Sequence, residues 1–183
     1  TLPVHDKNRG ILMPPDAHPA SSLDQSIVWL GRTVSWCVPV MAALVLVIVV
    51  LRYGFNTGAI AAQETVQYLH AAIFMLGAAV ALQADQHVRV DIFYRRFSAR
   101  QQAWVNGLGH VVFTLPLSGL IGWGSWDYVI DSWAAKEASP EPGGLPLVYL
   151  LKALIPVMAV LLALQALAQI ARALTTLRQR DNA

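Results

Sequence analysis

Val34-Ser35-Trp36-Cys37-Val38-Pro39-Val40-Met41-Ala42-Ala43-Leu44-Val45-Leu46-Val47-Ile48-Val49-Val50-Leu51 carries no charged side chain. Its Val, Ile and Leu content would suit a strand, but strands of that kind end after about 4–8 residues. A bilayer core about 30 Å thick takes roughly 20 apolar residues as a helix, so this stretch reads as a membrane span. Three more segments read the same way, giving spans at about 34–51, 65–84, 105–126 and 147–170. Pro39, Pro116 and Pro156 fall inside spans one, three and four, where neighbouring helices can satisfy the carbonyls that each proline leaves free.

Composition agrees. The 183 residues are 56% hydrophobic and 13% charged, with a mean hydropathy of +0.49; an ordinary soluble domain is nearer a quarter charged. The length allows one domain, and the net charge of +2 is too small to suggest nucleic acid. Cys37 is the only cysteine, which excludes an intrachain disulfide and a cysteine-built zinc site. The fold class expected is all-α, an integral membrane four-helix bundle occupying 26–172. Residues 1–25, with Pro3, Pro14, Pro15 and Pro19 and no apolar signal core, read as a mobile cytoplasmic tail, and 173–183 as the cytoplasmic C-terminal tail.

Orientation comes from Lys and Arg. Lys7, Arg9, Arg32, Arg89, Arg95, Arg96, Arg100, Arg172, Arg178 and Arg180 share one side, ten of thirteen. The other side has Arg52 and Lys136, with Lys152 just inside span four, and also Glu64, Asp127, Asp131, Glu137 and Glu141. The basic side is expected to be cytoplasmic, with both termini there. Trp29, Trp36 and Trp104 then mark the inner boundary, and Tyr53, Trp123, Trp126 and Trp133 the outer one.

Chemistry is harder to find. There is no phosphate-binding loop of the GxxxxGK[ST] type. His70 and His110 belong near opposite membrane faces, about ten residues apart in depth, so one haem cannot bridge them. His70 is expected to be a polar residue packed inside the bundle. Glu64 is expected at the start of span two, where a helix N-terminus favours a carboxylate. Arg52 and Lys152 can snorkel outward. No carboxylate lies within a span core, which argues against an ion-coupled carrier acting alone and against a small multidrug-type exporter. The pattern is that of a scaffold or accessory subunit rather than an enzyme; a free-standing four-helix membrane enzyme or redox protein is the alternative. The sharpest local feature is Gln86-His87-Val88-Arg89-Val90-Asp91 at the inner end of span two, where a charge-assisted Arg89–Asp91 contact or a contact to a partner would explain an acid and a histidine beside the arginine.

At this motif the chain resembles the small membrane subunit, DctQ-like, of tripartite ATP-independent periplasmic (TRAP) transporters. The resemblance spans about 30–172. It is carried by Arg52-Tyr53-Gly54-Phe55, Gln63-Glu64, Gly77, His87-Val88-Arg89-Val90-Asp91, Ser132-Trp133, Glu137, Ser139, Gly144-Leu145-Pro146, Lys152, Pro156 and Gln165, in order. The details are closest to the mannitol/chloroaromatic branch, which includes keto-acid carriers. The resemblance implies a complex in which a periplasmic binding protein delivers an organic acid to a large, elevator-type membrane subunit. That subunit holds the substrate and sodium sites, and the small subunit braces it in the bilayer of the bacterial inner membrane. No cofactor is expected here; sodium belongs to the large partner. Expected partners are that large subunit, the binding protein and membrane lipids. Arg52, Glu64, His87, Arg89, Asp91 and Lys152 are then expected at the subunit interface or in the structural motif. Trp133, Glu137, Ser139 and Glu141 are expected in a loop where the binding protein docks. The transported substrate is not legible in this chain.

Overall fold

The computed structural model describes residues 22–84 and 97–181, and every regular element among them is helical. Helices α1 (Ser22–Ser35) and α2 (Cys37–Gly54) make the first span, and α3 (Ile60–Gln83) the second. The third is α4 (Ala99–Gly109), a π-helical turn (His110–Thr114), α5 (Leu115–Gly124) and α6 (Trp126–Ala135), and α7 (Val148–Asp181) is the fourth. Four stretches are long and apolar enough to cross a membrane: Asp24–Gly54, Ile60–Gln83, Arg100–Ala135 and Val148–Arg178. The all-helical, four-span architecture is therefore as the sequence implies. The helices outrun the bilayer: the 34 residues of α7 reach about 51 Å at 1.5 Å each, against a core of about 30 Å.

The three prolines act differently. Pro39 sits in the first turn of α2, where a missing N–H costs little. It cannot bond the Ser35 carbonyl, and the chain breaks at Trp36, whose N–H turns back to the Thr33 carbonyl at 3.2 Å. Pro116 cannot bond Val112, and the backbone widens into the π turn immediately before it. His110 Nδ1 and Thr114 Oγ1, 3.1 Å apart, brace that turn. Pro156 lies within α7 without ending it. The third span starts on a capping box: Ser98 Oγ accepts the Gln101 N–H at 3.3 Å, and Gln101 Oε1 accepts the Ser98 N–H at 2.9 Å.

Packing runs in a row. The first span lies on α3, α3 lies on α7, and α7 carries the third span along its other side. Small residues line the contacts: Ala79, Ala159, Ala166 and Ala173 are buried. A Cβ on Gly107 would lie 3.4 Å from that of Ala173, and one on Gly122 at 3.4 Å from Ala159. Such contacts suit membrane helices, whose association rests on close van der Waals approach rather than on expelling water. Gln165 is fully buried on α7, its amide without a hydrogen-bond partner among the described residues. Few large apolar side chains are buried and many point outward, including Leu46, Phe74, Phe113 and Leu120; a row of helices has two open faces and little private core.

Helix α1 begins within the stretch read as a tail; residues 1–21 lie outside the described residues. It is amphipathic because Asp24, Ile27, Gly31 and Val34 fall on one stripe. Asp24, Ile27 and Val34 are buried, and Gly31 meets Val80 so closely that a Cβ would come within 3.0 Å of its Cγ1. Trp29 and Trp36 face outward, 68% and 71% exposed, which places an aromatic edge along the helix as a membrane interface favours.

Candidate functional site: clasps at the two ends and a groove between them

The connection after α6 folds onto the start of α3. Lys136 takes a left-handed conformation (φ 45°) and ends α6. The Glu137 N–H then bonds the Ser132 carbonyl at 3.0 Å. Further on, Ser139 and Leu145 are joined through the Ser139 N–H and the Leu145 carbonyl at 3.0 Å, and the Gly144 N–H bonds the Glu141 carbonyl at 3.0 Å. Gly143, with φ 81°, supplies the turn.

Glu64 is the anchor. Its Oε1 accepts the Ser139 hydroxyl, and its Oε2 accepts the Leu145 N–H at 2.6 Å. The expectation that Glu64 serves the N-terminus of its own helix is corrected. α3 starts at Ile60, so Glu64 lies beyond the first turn, and its carboxylate binds the opposing loop instead. Gly144 has to be glycine here: a Cβ would meet Ser139 Cβ at 2.6 Å and Glu64 Oε1 at 2.7 Å. This accounts physically for the Gly144-Leu145 motif.

Beside it, Lys152 bonds the Glu137 carboxylate and lies 3.9 Å from the centre of the Tyr128 ring. The Lys152 hydrogen bond holds the Glu137 carboxyl below the usual carboxylate range. Trp133 stands edge-on to Tyr149, ring centres 5.1 Å apart. Glu64, Trp133, Glu137, Ser139 and Lys152 are thus drawn into one clasp. Glu141 contributes its N–H to Ser139 Oγ at 3.1 Å while its side chain stays exposed, as do Asp127 and Asp131.

The opposite end is closed differently. Arg172 of α7 bonds the carboxylate of Asp24 in α1, across 148 residues of sequence. Gln83 Nε2, at the end of α3, donates to the Asp24 carbonyl at 3.0 Å. Sequence reasoning missed this clasp because Asp24 lay in a presumed tail. A capping-type carboxylate in the first turn of an amphipathic stretch was the available signal. His87, Arg89 and Asp91 lie outside the described residues.

Arg52 joins neither clasp. It is exposed and lines a hollow with Ile48, Asn56, Thr57 and Gln63, between α2 and α3. Next along the same groove come Met41, Ala42 and Val45 of α2 and Val66, Gln67 and His70 of α3. The expected packing of His70 inside the bundle is corrected: it is exposed, as is Gln67. The row arrangement leaves this side of α3 uncovered. Among the described residues no group of three or more His, Cys, Asp or Glu is placed to hold a metal ion.

Comparison with known proteins adds two findings. Residues 28–176 match the family model described as the DctQ component of tripartite ATP-independent periplasmic transporters. A protein of Haemophilus influenzae (strain Rd) described as a TRAP transporter small permease is 36% identical over 86 residues, 47% of this chain and 53% of the relative, so the match spans about half of that relative. No solved structure matches the chain.

Proposed function

We propose, from the premise that this chain belongs to the DctQ component family of tripartite ATP-independent periplasmic transporters, that it braces a large membrane subunit and moves no substrate itself. It is a non-enzymatic transport component and a multi-pass inner-membrane protein. The observation carrying the bracing role is the open row of four spans. Few of its large apolar side chains among the described residues are buried and many are exposed, so the array broadens whatever it lies against. Among the described residues no charged group lies at the middle of a span, which leaves no charged midplane site of the kind a carrier uses.

On this reading the large subunit carries the substrate and sodium sites, and a periplasmic binding protein delivers an organic acid. The motif details favour the mannitol/chloroaromatic/keto-acid branch. The charge split supports cytoplasmic termini, which puts the Glu64 clasp on the periplasmic side. There the exposed Asp127, Asp131 and Glu141, beside Trp133, steer a basic patch of the binding protein, while Glu137 and Ser139 hold the loop in shape.

Reconstitution tests this. Sodium-driven organic-acid uptake is expected only when this chain, the large subunit and the binding protein are present together; uptake by this chain alone would overturn the scaffold role. In the same system Asp131→Lys with Glu141→Lys slows uptake at low salt and limiting binding protein, and high salt erases the defect. In a Cys37→Ala background, Lys136→Cys reacts with an impermeant thiol reagent in intact cells and Arg178→Cys does not; the reverse pattern would invert the topology.

A further inference from the structure

The groove between α2 and α3 is unusual for a surface facing hydrocarbon. On α3, Gln63, Gln67 and His70 recur at helical spacing along it; on α2, Met41, Val45, Ile48 and Arg52 do the same. From Arg52 to Met41 it runs about 16 Å, half the thickness of a bilayer core. His70 lies about 9 Å deeper along α3 than Glu64. Gln67 and His70 are exposed, and neither side chain has a hydrogen-bond partner among the described residues. Lipid chains offer no donor or acceptor, so such groups are costly unless protein covers them. Arg52, at the mouth of the groove, has no ion pair among the described residues.

We infer that this groove seats one transmembrane helix of the large subunit, which brings a hydrogen-bonding side chain to Gln67 and His70 and an acidic side chain to Arg52. The assignment rests on the family reading above for the identity of the partner, and on the groove's own chemistry for the face. Met41, Ala42 and Val45 supply a shallow apolar floor against which a helix can pack closely, and the polar groups fix its depth and rotation. A second copy of this chain fits less well. The groove carries a cation at its mouth and needs an anion opposite, whereas two copies paired groove to groove would set Arg52 against Arg52.

Photo-crosslinking in the assembled two-subunit membrane complex tests the face. A photoreactive residue replacing Val45 or Gln67 is expected to capture the large subunit, and one replacing the outward-facing Leu120 of α5 is not. Adducts between two copies of this chain from the groove positions would overturn the occupant. Capture of the large subunit from Leu120 but not from the groove would overturn the face while leaving the family reading intact. Failure of the wild-type chain to copurify with any large subunit would instead remove the reading on which the inference rests. Gln67→Leu with His70→Leu, which makes the groove acceptable to lipid, is expected to leave membrane levels unchanged and to lower the association constant for the large subunit about tenfold, the scale of two interhelical hydrogen bonds. Unchanged copurification of this double variant would also overturn it.

Discussion

The two ends of the molecule are closed by opposite means. At the Glu64 end, a carboxylate on a helix receives a backbone N–H and a hydroxyl from a loop, and a glycine is required for the loop to come that close. At the Asp24 end, an ion pair, with Arg172 about a third exposed, and the Gln83 amide join the buried Ile27 and Val34 in holding an amphipathic helix against the row. The first is a shape lock, in which the backbone itself is a ligand and little can move. The second is a side-chain latch on an element whose other face is exposed. The contrast predicts a loop end that resists change and an α1 end that yields.

The strongest challenge to the shape lock is Gly144→Ala. The added carbon collides with Ser139 Cβ and the Glu64 carboxylate, neither of which can retreat without opening the loop. A loss of about 3 kcal/mol is expected, lowering Tm in detergent by roughly 10 °C. A Tm within about 2 °C of wild type would mean the loop is as yielding as the latch.

Asp24→Ala is expected to cost about 2 kcal/mol, less than a fully buried pair because Arg172 reaches solvent. The loss is local. Hydrogen exchange should accelerate in α1 while the loop after α6 keeps its protection. Equal acceleration at both ends would show that the two closures are coupled and would dissolve the contrast.

The smallest effect sharpens the loop end. The folded-state pKa of Glu137 is depressed, first by the Lys152 hydrogen bond. Its stabilising contribution is therefore present at neutral pH and is lost as pH falls through and below the ordinary carboxylate range. Trp133 emission should report a modest acid loosening of the loop, absent in Glu137→Gln. The same acid transition in that variant would assign it to another group.

Much of the loop-end clasp is legible in the sequence as separate residues. Glu64, Glu137, Ser139, Gly144 and Lys152 all belong to the motif set, yet nothing in their spacing said that Glu64 binds Leu145 rather than its own helix. His70 was misplaced for a related reason. A histidine in an apolar run is ordinarily driven inward, but that assumes a closed bundle with an inside to enter.

What the sequence determined by itself is what depends on runs of neighbouring residues: four helices, because a bilayer selects length and hydropathy locally, and a segregation of positive charge that orders the loops. The caps and proline effects are equally local. Only the tertiary structure decided the row order of the spans, the docking of α1 through a pair 148 residues apart, and the face of α3 left uncovered. These depend on which small residues meet across helices, and in a membrane every apolar surface is nearly as content against lipid as against protein. Hydropathy therefore places each helix in the bilayer but cannot choose its neighbours; close packing and a few polar contacts do.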